Sequence, residues 1–505
     1  GASSSNDANT IGTLNHNGGD LTVGTLNLAE GTSTINITDG TVKVTGAFNL
    51  DELAAGISTV TLSGGTLDLS GVNVVDRPGT ENFNFIGGTL KDVNDFGRDL
   101  NQQSGTLQLG ADGAADTMTV AGDFTTSAGA TVEIELNGAA SHDQLIINDA
   151  ADNLVSLNGA TLDLTLNYAP AASDSFVIVS NVDAADEIGG TFDGLAEGEI
   201  FTLVSTADSK SYLFQITYAG GTDSNDVVLT SLGLVETDVS IDSNGNLVIT
   251  DTNGGVSDDD VTISEDGSGN YLITDPNLLL GTSIPGATQI DTHTIRVAKT
   301  DVTGGLIVNT LANANDTVTI GGANTVSFAG NVEINAETIF LNRSLIATGS
   351  DIEFNGDLDL RSATGTVGLT AGNVTFNGDT TLLNSDGSAL ELTVSGAATN
   401  AAGNLFDMND GRIQLLGGTE FVNNGTFEIG ENGSVPIWAD SQTDLNNKIT
   451  NNGTFTVNSA QFRLYVTLTN TATGILNIDN PGGMGAAEIQ LKAPQGIGTG
   501  GEIVN

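Results

Sequence analysis

Phe421-Val-Asn-Asn-Gly-Thr-Phe-Glu-Ile429 is followed, 28 residues on, by Ile449-Thr-Asn-Asn-Gly-Thr-Phe-Thr-Val457. The same phrase is written twice: an Asn-Asn-Gly turn feeding a Thr/Phe/aliphatic alternation. A turn plus a short alternating strand, recurring at a period of roughly 20–50 residues, is the signature of a solenoid. One such unit cannot bury its own apolar face and must stack on its neighbours. In that register Phe427 and Phe455 are expected to lie against each other inside. The residues between the two phrases then form one long turn, or a turn plus an excursion around Trp438.

The cadence spreads outward from there. Residues 11–110 carry Gly12-Thr-Leu14, Gly24-Thr-Leu-Asn-Leu28, Asp39-Gly-Thr-Val-Lys-Val44, Gly64-Gly-Thr-Leu-Asp-Leu69, Gly87-Gly-Thr-Leu90 and Ser104-Gly-Thr-Leu-Gln-Leu109. In each, glycine permits the turn and the alternation that follows puts aliphatics on one face. Residues 301–505 repeat the pattern in Gly304-Gly-Leu-Ile-Val-Asn309, Asp316-Thr-Val-Thr-Ile320, Asp351-Ile-Glu-Phe354 and Asn373-Val-Thr-Phe376. Alternation alone also fits an antiparallel sandwich. The returning phrase, without consistent two-residue hairpin loops, selects an all-β parallel β-helix. Asn and Thr at equivalent turn positions are expected to form hydrogen-bonded ladders on its outer face.

Two stretches differ. Residues 111–232 run through Ala130-Thr-Val-Glu-Ile-Glu-Leu136, Asp143-Gln-Leu-Ile-Ile147, Ser175-Phe-Val-Ile-Val179, Phe214-Gln-Ile-Thr-Tyr218 and Gly220-Gly-Thr-Asp-Ser-Asn-Asp226. The order of these phrases resembles the passenger region of autotransporter-type bacterial surface proteins. That resemblance implies a β-helix exposed outside the cell and closed by a hairpin-rich cap. The C-terminal phrases resemble the rungs of filamentous-haemagglutinin-like adhesins. Residues 233–300 set short strands between Asp242-Ser-Asn-Gly-Asn246, Asp251-Thr-Asn-Gly-Gly255 and Asp266-Gly-Ser-Gly-Asn270, strong hairpin signals. They read as a small acidic β-meander, similar to repeat modules of large planctomycete-type surface proteins. The expected organisation is a solenoid arm at 1–110, passenger-like rungs and cap at 111–232, the meander at 233–300, and a second arm at 301–505.

Charge narrows the partners. The 505 residues hold 63 acidic and 13 basic side chains, a formal charge of −50. Between Arg98 and Arg296 the only basic residue is Lys210. Binding to a phosphate backbone needs clustered Lys and Arg, so nucleic acid is excluded as a partner, and docking on anionic lipid is disfavoured. If turns of ~22 residues stack at ~4.8 Å, the rod is on the order of 100 Å long. Its line charge, about one per 2 Å, then approaches that of duplex DNA. Such a rod recruits counterions, which fits a cation-rich medium; acidity that merely keeps a large Thr/Val-rich chain in solution fits as well. No apolar run reaches the length of a membrane-spanning helix. With no cysteine there is neither disulfide nor thiolate site. The start at Gly1-Ala-Ser-Ser-Ser reads as a mature or trimmed product.

The cation expected is Ca²⁺, and its candidate ligands are Asp223, Asp226, Asp242, Asp251, Asp258 and Asp260. The first two follow a Gly-Gly pair, as in the Gly-Gly-x-Gly-x-Asp calcium repeat; the others sit among hard oxygens that suit calcium. None has EF-hand spacing, and Asp or Asn in turns also serve their own backbone. Asp351, Glu353, Asp357 and Asp359, close to Arg361, are the best carboxylate set for polysaccharide cleavage. Spacing of two along a strand is equally that of a solvated face. His16, His142 and His293 are far apart and sit in no metal or triad motif. Asn-x-Ser/Thr sequons at Asn36, Asn315, Asn342, Asn373, Asn424, Asn432 and Asn452 arise readily in so Asn- and Thr-rich a chain. Trp438, Phe462 and Tyr465 could stack a sugar or simply pack. The expectation is a non-enzymatic extracellular rod: a protomer of a surface fibre, sheath or layer, or an adhesin shaft. It would associate end to end, or with other surface proteins or a glycan. The alternative is a β-helix that binds or cleaves polysaccharide.

Overall fold

The structure, a computed structural model, describes residues 11–28, 31–50, 56–75, 80–111, 113–148, 154–183, 186–252, 257–310, 315–360, 365–382, 389–408, 412–430, 434–439, 446–458, 461–478, 488–491 and 502–504. All the regular structure among these residues is β, and it forms a parallel β-solenoid of about 18 turns. The chain divides into two compact units, Gly1–Leu234 and Val235–Asn505.

In the first unit the opening turns are each one long bent strand. Ile11–Leu28, Thr32–Leu50, Ile57–Val75 and Thr80–Phe96 pair in parallel, each with the next. The Gly-Thr-Leu phrases fall into a single register. Thr41, Thr66, Thr89, Thr106, Thr131 and Thr161 form one column. Beside it, Val42, Leu67, Leu90, Leu107 and Val132 form another that is fully buried. Burial of each such side chain contributes about 1.5–3 kcal/mol.

The glycine of the phrase is fixed by the stack. Gly40, Gly65, Gly88 and Gly105 all have φ between 64° and 86°, where an L side chain is strained. A Cβ on Gly88 would also lie 2.6 Å from the carbonyl oxygen of Gly65 in the turn before. At Ala130, the next position in the register, a side chain is tolerated and buried.

This unit closes in antiparallel strands, as the cap expectation required. Ser175–Asn181 pairs with Asp226–Leu234, which pairs in turn with Ser211–Gly220, and the latter with Ile200–Val204. Asn225 is buried beneath them, its Nδ2 donating to the carbonyls of Asn181 (3.0 Å) and Asp183 (2.6 Å).

The second unit begins with the expected hairpins. Thr237–Ile241 pairs antiparallel with Leu247–Asp251, and Asn270–Thr274 pairs antiparallel with both Asp260–Glu265 and Thr294–Ala298. The loops 242–246 and 266–270 are built alike. In each, the leading Asp accepts the backbone N–H groups two and four residues on, while its second oxygen accepts the Asn side-chain amide. The hairpins are not a separate body. Leu247–Asp251 pairs in parallel with Leu306–Asn309, and Asp260–Glu265 with Thr317–Ile320, so they form the first layers of the following stack. The turn beginning at Asp251 extends into residues outside those described.

From there the turns are built of three strand segments, the first two merging into one strand in Val332–Leu341 and Ile352–Leu360. Glu420–Asn423, Thr426–Ile429 and Ser434–Ala439 stack on Lys448–Asn451, Thr454–Val457 and Gln461–Leu464. The doubled phrase therefore marks consecutive turns, with Phe427 opposite Phe455. Their rings are parallel within 3°, 4.7 Å apart, and Phe406 continues the stack at 5.2 Å from Phe427. Such pairs contribute about 0.5–1.5 kcal/mol beyond their burial.

The two asparagines of the phrase divide between faces, as strand alternation requires. Asn424 is on the outside and accepts from Asn452 Nδ2 at 2.9 Å. Asn423 is inside. Asn400, Asn423, Asn451 and Asn470 form a chain in which each Nδ2 donates to the next Oδ1 at 2.8 Å. Outer ladders of the kind expected are present too, as in Asn309–Asn335–Asn355–Asn377; the inner one was not foreseen.

Candidate functional site: a buried carboxylate column

Turn stacking gathers acidic residues that the sequence keeps far apart. Asp260 is in register with Thr317, and Thr317 with Thr338. The residues just before these, Asp259, Asp316 and Glu337, therefore stand one above another on successive turns. Backbone bonds fix the column: the Asp259 N–H donates to Asp316 Oδ1 at 2.9 Å, and the Asp316 N–H to Glu337 Oε2 at 3.1 Å. Above it, the Thr237 hydroxyl donates to Asp259 Oδ1. Asp251 stands opposite Thr237 in the first hairpin.

Asp259 and Asp316 are 1% and 0% exposed. Each keeps one oxygen, Oδ2, buried and without a hydrogen-bond partner. Burial, countered in part by the Thr237 hydroxyl and reinforced by the charges of Asp251, Asp316 and Asp275, pushes Asp259 up to about 7. Burial also raises Asp316, with Glu337 and Asp251 adding to it. The neighbouring Asp275 is equally buried but accepts three N–H groups, from Asp260, Asn277 and Leu278.

Of the six calcium candidates, Asp251, Asp258 and Asp260 lie around this column. Asp258 is exposed and accepts the Asn315 N–H at 3.0 Å; Asp260 is raised by burial and by Asp275. Asp242 is occupied in its own hairpin loop. Asp223 and Asp226 belong to the first unit; Asp223 is exposed in a turn, and Asp226 Oδ1 accepts the Asn181 N–H. Among the described residues no three or more His, Asp or Glu side chains converge as a metal centre. Asp316 and Glu337 were missed because nothing local marks them; only the turn register brings them to Asp259.

The other candidate groups resolve into local contacts. Asp351 Oδ1 accepts from the Asn373 backbone and side chain, Glu353 from Asn377, and Asp357 from the Asp379 N–H. Asp359 is half-buried; Arg361 lies outside the described residues, as do Asn432 and the side chains of Trp438 and Phe462. His16 contacts the carbonyl of Gly19, His293 that of Leu278, and the His142 ring packs edge-on to Phe176 at 5.4 Å. Among the described residues no helix is long and apolar enough to cross a membrane. The chain matches no protein-family model, no curated protein and no solved structure.

Proposed function

We propose that the chain is a structural segment of an extracellular surface fibre or adhesin shaft, joined end to end with further copies of itself. The observation that supports this is the stack itself: turn pairs with turn in parallel register around an apolar core, from Ile11–Leu28 through Thr80–Phe96 in the first unit and through Lys448–Asn451 and Thr467–Asn470 in the second. Strand edges of such stacks pair with further strands, and head-to-tail contact of unlike faces generates filaments. The high acidic charge opposes that contact, so cations, calcium above all, would promote it by screening or by binding exposed carboxylates such as Asp223 and Asp258.

Sedimentation velocity and electron microscopy, with and without calcium, test this reading. Concentration-dependent filaments that lengthen with calcium support it. A strict monomer in both conditions overturns it.

A further inference from the structure

We propose that His142 is an acid-sensitive latch between the parallel turns of the first unit and its antiparallel cap, neutral while the cap is seated and protonated only as it lifts. Ser175–Asn181 is the strand in which the two kinds of pairing meet. Its residues 179–181 lie in parallel with residues 145–147 of the turn before, while residues 175–179 pair antiparallel with residues 227–230. The antiparallel register slips between Val177 and Val179. Just ahead of the parallel pairing, side chains hold the Val177 carbonyl: Gln144 Nε2 donates to it at 3.1 Å, and His142 Nε2 lies 3.3 Å from it.

That contact assigns the tautomer. A carbonyl only accepts, so Nε2 carries the proton and Nδ1 is the bare nitrogen. Nδ1 is buried and has no hydrogen-bond partner. The ring packs edge-on to Phe176, 5.4 Å between centroids. Phe176 is fully buried and also touches Tyr168 and Phe214, each at 6.2 Å. A proton added at Nδ1 sets an N–H without an acceptor, and a positive charge, against that aromatic cluster. Turning the ring out to water gives up both the Val177 bond and the Phe176 contact.

The acids nearby are committed elsewhere. Ser141–His142 packs on Phe124–Gly138, which brings Glu133 and Glu135. Glu133 stands in the column of Gln108 and Asp163, and Glu135 Oε2 accepts the Gly113 N–H and the Asn137 amide. Asp174, in the loop before Phe176, accepts the Tyr168 hydroxyl and the Ala171 N–H. Asp143, next along the chain, accepts the Asp116 and Glu135 N–H groups, and Asp116 itself the Ala111 N–H. Ser175–Asn181 and Gln144–Ile147 carry no titratable side chain. Burial therefore lowers His142 below the ordinary imidazole value, offset only in part by the Val177 carbonyl.

A histidine lowered in the folded state contributes stability that is fully present above its ordinary value of about 6.5 and is lost as pH falls below it toward the folded value. Asp143 titrates close by, pushed up by burial to about 6, but a raised carboxyl favours the fold as pH falls. Acid opening of this seam therefore cannot come from Asp143.

Hydrogen exchange on the full-length protein from pH 5 to 8, corrected for intrinsic rates, reads the latch at the amides of residues 176–179 and 227–230. Residues 132–136 of the parallel turns are the reference. Below about pH 6.5 the cap amides should open more readily, by at most about tenfold per pH unit, while the reference does not follow. His142→Gln keeps a donor for Val177 and takes no proton in this range; His142→Phe keeps a ring against Phe176. Each should hold the opening of the cap flat across the same range. Proton NMR of the wild-type His142 ring gives a direct readout, expected to titrate below about 6.5. Acid opening that persists in both variants overturns the proposal, and so does a native ring that titrates at or above that value.

Discussion

Replacing Asn423 with alanine cuts the inner amide chain at its most enclosed point. Asn423 is fully buried, and its Nδ2 donates to Asn451 Oδ1 (2.8 Å) and to the Thr454 carbonyl (2.9 Å). Both acceptors lose that donor in a place water does not reach. On the other side, Asn400 loses Asn423 Oδ1 but keeps the carbonyls of Asn404 and Thr426. Each stranded buried acceptor costs about 1–3 kcal/mol. The Thr454 carbonyl has strand partners as well, so the local loss is about 2–4 kcal/mol. A solenoid opens in parts rather than as a whole, so the assay is hydrogen exchange at residues 426–429 and 454–457. Exchange there should accelerate about 30- to 700-fold, at tenfold per 1.4 kcal/mol. Asn424→Ala is the control: one residue away, exposed, bonded only across the outer surface, and expected to change stability by less than about 0.5 kcal/mol. If Asn423→Ala exchanges no faster than Asn424→Ala, the inner chain does not hold these turns together.

Gly88→Ala should destabilise the first unit by more than about 2 kcal/mol, from the left-handed backbone cost and the approach of Cβ to the Gly65 carbonyl; thermal denaturation and recovery of soluble protein report it. Arg98→Met removes the guanidinium paired at 2.6 Å with the buried Glu81 carboxylate and should cost about 3–5 kcal/mol, read by thermal denaturation. The loop carboxylates Asp242 and Asp266 are held below the ordinary range, the first chiefly by the Asn246 backbone amide and the second by the Asn270 side-chain amide. Their contribution is therefore present above about pH 4 and lost as pH falls below it, seen as faster exchange at the Asn246 and Asn270 amides.

The architecture was legible because stacking imposes the same demand on every turn. Only glycine fits where Gly88 meets Gly65, so the Gly-Thr-Leu phrase returns wherever that corner recurs. The hairpin loops were equally plain, since Asp242 and Asp266 satisfy their own turns locally. What escaped was everything that depends on which turn lies beneath which. Spacing between stacked residues varies from 19 to 28 in the Asn400–Asn470 chain alone, so no fixed period could align Asp259 with Asp316. Whether an asparagine faces inward is set by its place in the strand, and the Asn-Asn pair leaves that choice open until its neighbours are known. The calcium candidates were chosen for oxygen chemistry, yet Asp242 and Asp226 spend theirs on backbone N–H groups.

The uneven length of the turns has a mechanical consequence. Tension applied along the stack would peel turns one at a time, because the strands that carry Asn400 to Asn470 pair each with the turn before and the turn after. Stacked asparagines 19, 23 and 28 residues apart then become yield steps of different size. At ~3.3–3.6 Å per extended residue, the shortest releases roughly 65 Å of chain and the longest roughly 95 Å. A pulled segment would thus lengthen in graded steps before it parts.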